Sequence, residues 1–141
     1  IKLCDTQMLE RFERFELLAE GLRQRRAEVE RYNAGHVTDM KELINGRRLT
    51  NVGTLRAYII AYLRQHPRIH QDLTFLVRQL APTSNGLPIE IYVFTRDIEW
   101  VKYEEIQADI FDHLLAVMPM FDLRIFQEPT GADFTALRDS S

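Results

Sequence analysis

The clearest hydrophobic pattern in the chain is a strict alternation of aliphatic and other side chains between residues 87 and 95. A period of two is typical of a β-strand, so this stretch predicts a strand with two distinct faces. Glu90, Tyr92 and Phe94 lie on one face, and the opposite face is aliphatic. The aliphatic positions are Leu87, Ile89, Ile91 and Val93.

A second strand is predicted just before the first, from Leu73 to Leu80, where apolar residues occupy both faces. Strands of this kind are usually covered on both sides, and we therefore expect both faces to be buried. The residues between the two strands, Ala81 to Gly86, are turn formers that end in Asn-Gly. Because this pair accepts positive φ angles, the two strands are predicted to form a hairpin.

The period changes to three and four residues on either side of the hairpin, which predicts helices from Asn51 to Gln65 and from about Glu99 to Met118. Pro119 ends the later helix, and a short third strand is predicted from Leu123 to Gln127. The order α-β-β-α-β predicts an α+β fold in which helices pack on one face of a small sheet, as in ferredoxin-like modules.

The N-terminal third of the chain predicts a helical segment. One long helix begins after the N-cap candidate Asp5 and continues to about Tyr32, and a short helical turn is predicted from Thr38 to Asn45. Because the chain opens on Ile1 without an initiator Met, we interpret it as an excised part of a longer protein. We divide it into the end of a preceding β-domain strand at 1–4, the helical segment at 5–48, an α+β module at 49–129 and a flexible tail at 130–141.

Composition narrows the possible functions. A chain of 141 residues is enough for one folded domain. Its net charge of −3 provides no general attraction to nucleic acid, so no nucleic-acid partner is predicted. The sequence has no run of about 18 apolar residues, which a transmembrane helix would require. The single cysteine, Cys4, excludes an internal disulfide and favours a reducing compartment such as the cytoplasm.

Few side chains are spaced for chemistry. Glu105, Asp109 and His113 recur at intervals of four and could hold a divalent metal, but the solvent-facing side of the helix is the better interpretation. His66 and His70 lie in a predicted loop, where histidines are usually solvated. No Gly-x-Ser-x-Gly motif or phosphate-binding loop is present. We therefore predict no catalytic, cofactor-binding or metal-binding residues and no enzymatic activity.

Several long runs of the sequence resemble the cytoplasmic C-terminal part of bacterial mechanosensitive channels. They are most similar to the YbdG-like miniconductance branch of the small-conductance mechanosensitive channel (MscS) superfamily. The resemblance extends over nearly the whole chain and includes the N-terminal helix. The runs are RLTNVGTLRAY at 48–58, LVRQLAPT at 76–83, NGLPIEIY at 85–92, EEIQADIFDHL at 104–114 and LRIFQ at 123–127.

The resemblance implies a channel of the bacterial inner membrane that opens under tension during hypoosmotic shock and releases small solutes. The family is heptameric: membrane helices form the pore, a β-rich middle domain follows, and a C-terminal α/β domain completes a hollow cytoplasmic cage. Residues 1–4 would end a strand of the middle domain, and the remainder would build the cage. Its partners would be other copies of the chain, with the membrane reached through N-terminal spans outside this sequence.

A cage wall requires surfaces that bind neighbouring subunits, and Glu90, Tyr92 and Phe94 are our candidates for a subunit interface. The outward side of the first helix is a second candidate for this contact. Alternatively, Tyr92 and Phe94 lie under a helix of the same chain. The competing functional class is a stand-alone α+β regulatory or ligand-binding module that dimerises through its sheet, because a fold alone does not fix function.

Overall fold

The computed structural model describes residues 1–36, 46–128 and 130–132, and these residues form the predicted α+β fold. The predicted turn from Thr38 to Asn45 lies outside the described residues, as does most of the predicted tail. No helix in the described part of the chain has both the length and the apolar character needed to cross a bilayer. The elements in chain order are α1 (Thr6–Glu13), α2 (Ala19–His36), α3 (Asn51–Gln65), β1 (Ile69–His70), β2 (Leu76–Gln79), β3 (Ile89–Tyr92), β4 (Phe94–Thr95), α4 (Trp100–Val117) and a 3-10 helix (Met118–Phe121).

The N-terminal segment is helical, but it contains two helices where the sequence predicted one. The Asp5 carboxylate accepts a hydrogen bond from the Met8 backbone N–H at 2.8 Å, which confirms the predicted N-cap. After α1 the chain makes tight turns before α2 begins. This break places the Phe15 ring 6.0 Å from the Phe12 ring and 5.7 Å from the Phe121 ring, so the helix is interrupted where an aromatic cluster forms.

The two later helices agree with their predicted positions. α3 has the predicted bounds, and the Thr50 hydroxyl caps it by accepting from the Gly53 backbone N–H at 3.0 Å. α4 starts and ends within one residue of the prediction. Pro119 lies in the 3-10 helix that follows α4, which confirms that the α-helix stops before it.

The predicted hairpin is confirmed, with shorter strands. β2 and β3 are antiparallel, and the turn between them includes an isolated bridge between Thr83 and Gly86. Gly86 has a φ of +129°, a conformation that favours glycine, so the Asn-Gly signal identified the turn correctly. The chain leaves the β2–β3 ladder at Val93, and the predicted strand from 87 to 95 is therefore two strands.

One strand pairing was not predicted, and one predicted strand is absent. β1 pairs with β4 through Ile69 with Thr95 and His70 with Phe94, whereas the sequence placed His70 in a loop. Residues 123–128, all of which the structure describes, belong to no β-ladder, so the predicted strand from Leu123 to Gln127 is wrong for this chain. A strand needs a hydrogen-bonding partner, and no edge of the described ladders pairs with this segment.

The core lies where α1, α3 and α4 meet the inner face of the strands. Its cluster includes the start of α2 and the 3-10 helix, so both ends of the described chain contribute to it. The hydrophobic residues that are 2% exposed or less are Phe12, Leu18, Leu55, Ile59, Leu63, Ile69, Ile106 and Phe121.

A buried asparagine joins three segments of the fold. Asn51 is 0% exposed, and its side-chain oxygen accepts from the Lys2 backbone N–H at 2.9 Å. Its amide donates to the Phe121 carbonyl at 3.0 Å. Next to it, Leu3 forms an isolated antiparallel bridge with Thr50. The N-terminal residues are therefore held against the start of α3 and the 3-10 helix.

Candidate subunit interface

The pairing of β2 with β3 determines which side chains share the outer face of the hairpin. Tyr92 lies opposite Leu76 and Glu90 lies opposite Arg78, so these four residues form two cross-strand pairs. Because successive residues of a strand point to opposite faces, Ile91 points inward, where it packs against the core. The alternation from residue 87 to 93 therefore predicted the inner and outer faces correctly.

Tyr92 and Phe94 form an exposed aromatic pair. Tyr92 is 49% exposed and Phe94 is 41% exposed. Their ring centroids are 5.6 Å apart with an interplanar angle of 83°, which is the favourable edge-to-face geometry. About half of each ring is therefore open to solvent, whereas rings packed under a helix of the same chain would be largely buried.

Glu90, the third candidate, is held by an ion pair on the same surface. The Arg78 guanidinium donates to the Glu90 carboxylate through Nε and Nη2, each at 3.0 Å from Oε1. Both side chains remain partly exposed, and such a pair contributes at most about 1 kcal/mol to folding. It fixes the position of one positive and one negative group beside the aromatic pair.

The structure adds two residues that sequence reasoning did not assign to this surface. Leu76 is 39% exposed, so the prediction that both faces of its strand are buried is wrong. The alternation along β2 already grouped Leu76 with Arg78, and only the register was missing. We refer to Leu76, Arg78, Glu90, Tyr92 and Phe94 as the outer hairpin face. The other candidate contact, the outward side of the first helix, stays a prediction.

The candidate metal residues on α4 do not form a site. His113 lies against α3 rather than in solvent: its Nε2 is 2.7 Å from the Tyr58 hydroxyl, and its ring stacks on Tyr62 at 4.3 Å. Burial raises the pKa of the Tyr58 hydroxyl. It also raises the pKa of Tyr62, with smaller contributions from the negative charge of Asp109 and from Tyr58. Across the described ranges, no three His, Cys, Asp or Glu side chains are grouped as a metal ion would require.

The other reactive side chains also have structural contacts. The side chain of His66 is only 9% exposed, and its Nε2 lies 3.4 Å from the Asp109 carboxylate, so the expectation of a solvated histidine is wrong. The Cys4 Sγ lies 3.9 Å from the Thr54 hydroxyl. Burial raises the pKa of the Cys4 thiol, which disfavours the nucleophilic thiolate.

The chain matches a known protein family. A family model described as "Mechanosensitive ion channel MscS, C-terminal" matches residues 50–124. This range begins at the cap of α3 and ends after the 3-10 helix, so it includes the whole outer hairpin face. No solved structure matches the chain.

Proposed function

Because this chain belongs to the family of MscS C-terminal domains, a part of mechanosensitive ion channels, we propose that it forms the wall of an oligomeric cytoplasmic vestibule. The channel opens under membrane tension during hypoosmotic shock and resides in the bacterial inner membrane. The partner of each copy is another copy, in a ring of seven. Within the superfamily we assign the chain to the YbdG-like miniconductance branch, on the sequence runs quoted above.

The observation that carries this proposal is the outer hairpin face. A ring is built from heterologous contacts, in which one surface of a subunit meets a different surface of the next. The outer hairpin face offers exposed aromatic and aliphatic side chains beside one fixed ion pair. Subunit interfaces are typically enriched in aromatic residues and arginine in this way.

The size of this face sets a limit on what it can do alone. If a large apolar side chain has roughly 150–250 Å² of surface, the exposed parts of Leu76, Tyr92 and Phe94 amount to about 250 Å². Burying that area contributes about 6 kcal/mol at roughly 25 cal/mol per Å². Association itself costs about 4–15 kcal/mol, a range that includes this gain, so we expect a stable ring to bury further surface besides the outer hairpin face.

The assembly experiment introduces charge into the outer hairpin face. The double substitution Tyr92→Glu/Phe94→Glu places two carboxylates where we expect a neighbouring subunit, and it should reduce the fraction of oligomer measured by light scattering. Both positions are exposed, so circular dichroism should report an unchanged fold. The matched control is Tyr32→Glu, since Tyr32 is 39% exposed and belongs to α2 rather than to the hairpin.

Two outcomes would contradict the assembly role. The first is an oligomer fraction equal to that of the unsubstituted protein, and the second is an equal loss in the Tyr32→Glu control. The cellular function is tested by survival of an osmotic downshock in a strain that lacks its own mechanosensitive channels. Protection by the protein, with loss of protection in the Tyr92→Glu/Phe94→Glu variant, is expected. Absence of any protection by the unsubstituted protein would contradict the channel role.

A further inference from the structure

α4 carries an exposed apolar stripe that the core does not use. Its members are large and substantially exposed: Trp100 (71%), Tyr103 (41%), Phe111 (48%) and Leu115 (50%). Trp100 and Tyr103 stack at 6.1 Å, and Tyr103 and Phe111 line one small cavity beside the sheet. The exposed Glu104 lies between the two ends of this apolar surface. We call these four residues the α4 stripe.

The stripe lies on one side of the helix only. The buried residues of α4 are Ile106, Ile110 and Leu114, and the stripe extends the apolar surface past them in one direction. On the other flank the exposed positions include the charged residues Lys102 and Glu105, and Val101 on α4 is also exposed (66%). A helix that only covered a core would not need a second apolar flank.

The area of the stripe matches the needs of a protein contact. With roughly 150–250 Å² for each large side chain, its exposed parts sum to about 400 Å². One side of a standard interface buries about 800 Å². Slightly more than half of such an area is apolar, or about 450 Å². The α4 stripe therefore supplies an apolar surface close to that of one partner in a stable contact.

The molecule also has a largely apolar groove outside α4. It has a volume of about 270 Å³ and lies between α2 and α3. Its lining is mostly apolar and includes Leu17, Gly21, Ala57, Ile60 and Ala61. We call this cavity the α2–α3 groove.

The stripe and the groove face in opposite directions. Tyr58 on α3 and His113 on α4 are hydrogen-bonded, so they mark the sides on which the two helices meet. Each helix turns by about 100° per residue, and a step of two residues therefore turns by about 200°. Ile60 and Leu115 are each two residues beyond this contact, so both point away from it, on opposite sides of the helix pair.

We propose that the α4 stripe of one copy packs into the α2–α3 groove of the next copy. This inference rests on the proposed ring assembly and names its second contact surface. A chain cannot place its own stripe in its own groove, because the two face apart. The contact is therefore head-to-tail, which is the kind that closes into a ring. This contact supplies buried area in addition to that of the outer hairpin face.

The test is cross-linking by engineered cysteines in the full chain. Cys4→Ser removes the single natural cysteine. Leu115→Cys and Ile60→Cys are then added together, and disulfides are formed with copper phenanthroline as the oxidant. We expect a ladder of covalent multimers, since each copy offers one cysteine to each neighbour. The matched control replaces Leu115→Cys by Glu105→Cys, on the charged flank of α4, and should give at least tenfold less cross-linked product.

A second pair of variants tests the contact without cross-linking. Leu115→Asp should reduce the oligomer fraction measured by light scattering, and the combination Leu115→Asp/Ile60→Lys should restore it by placing opposite charges across the contact. Circular dichroism identifies any variant that does not fold. If Leu115→Asp does not fold, the cysteine pair alone decides the question.

The outcomes separate this inference from the proposed function. Suppose that the oligomer is lost in Tyr92→Glu/Phe94→Glu, but the cysteine pair gives no more cross-linked ladder than its Glu105→Cys control. This result overturns the stripe–groove contact and leaves the proposed ring standing. A protein that stays monomeric overturns both. A third outcome is that the protein sediments with phosphatidylglycerol vesicles and that Leu115→Asp abolishes this binding without changing the oligomer. This result would assign the stripe to a lipid surface and would also overturn the contact.

Discussion

Replacing the buried Asn51 with alanine is the sharpest test of how the N-terminal residues are held. The substitution removes the side-chain acceptor for the Lys2 N–H and the donor to the Phe121 carbonyl. A second, longer contact of the Asn51 amide, at 3.4 Å to the Asp122 carbonyl, is lost as well. Asn51 itself is 0% exposed; its bond to the Phe121 carbonyl is buried, and its bond to the Lys2 N–H is partly buried.

The size of the effect follows from the cost of unpaired buried groups. A donor or acceptor left without a partner costs about 1–3 kcal/mol. Asn51→Ala leaves the Lys2 N–H and the Phe121 carbonyl in this state, together with the Val52 N–H, which also donates to the Asn51 side-chain oxygen at 2.9 Å. Alanine is the better helix former by up to about 0.7 kcal/mol, which offsets part of the loss at the first residue of α3. We expect Asn51→Ala to lower the free energy of unfolding by about 3 kcal/mol, or the melting temperature by roughly 10 °C.

The chain contains a matched control for this experiment. The Asn33 side chain also makes two hydrogen bonds to backbone groups, donating to the Arg47 carbonyl at 2.9 Å and accepting from the Arg47 N–H at 2.7 Å. These bonds are exposed to solvent, so water can replace them and Asn33→Ala should cost less than about 1 kcal/mol. Urea unfolding followed by circular dichroism measures both variants under the same conditions.

Equal destabilisation by Asn51→Ala and Asn33→Ala would refute the reasoning, because burial is the difference between the two sites. Asn51→Asp provides a further check. The carboxylate keeps the acceptor for Lys2 but places a negative charge against the Phe121 carbonyl, so we expect it to be no more stable than Asn51→Ala.

Two further predictions concern alkaline pH and the hairpin turn. Because the pKa values of Tyr58 and Tyr62 are raised, the folded chain keeps these protons to a higher pH than the unfolded chain. Their contribution to the free energy of unfolding is therefore complete below pH 10.0 and is lost as the pH rises above it. Urea midpoints at pH 9 and 11 should therefore differ less in Tyr58→Phe/Tyr62→Phe than in the unsubstituted protein, and an unchanged difference would contradict the assignment. Gly86→Ala should lower the free energy of unfolding by about 1 kcal/mol, since the φ of +129° disfavours a side chain although there is open space around it. A urea midpoint at or above that of the unsubstituted protein would contradict this reasoning.

The helices were the most predictable part of the fold because their signals are local. The Thr50 cap and the 3.6-residue period fix α3, and Pro119 fixes the end of α4. The break between α1 and α2 could not be read in this way. The apolar period continues through Phe15, and the reason for the break is a contact with Phe121, more than a hundred residues later.

The strand errors arise from long-range pairing. β1 has only two residues, too few for an alternation, and it exists because Ile69 meets Thr95. Conversely, Leu123 to Gln127 has a strand-like sequence but no partner strand in the described chain. Periodicity identifies residues that suit a strand, but hydrogen bonds to a second segment decide whether one forms.

The candidate site was half predictable for the same reason. The period of two placed Glu90, Tyr92 and Phe94 on one face without any structure. Leu76 and Arg78 joined them only once the register of the hairpin was known. The partly buried contact of His113 with Tyr58 was not predictable either, because α4 and α3 are separated by the whole hairpin.

Because α2 is weakly packed, this helix should unfold locally more easily than the core does. Leu22, near the start of this 18-residue helix, is its only buried residue. An isolated helix of that length is marginally stable in water, and the part beyond Leu22 is held by polar contacts rather than by buried side chains. Arg25 donates to the Gly53 carbonyl, Arg26 pairs with Glu13, and Asn33 and Tyr32 contact Arg47. The amide hydrogens of this part should exchange with solvent through fraying rather than through global unfolding. Changes in the part of α2 beyond Leu22 should therefore have little effect on the core. This part of the helix is the best place to lengthen, shorten or label the chain.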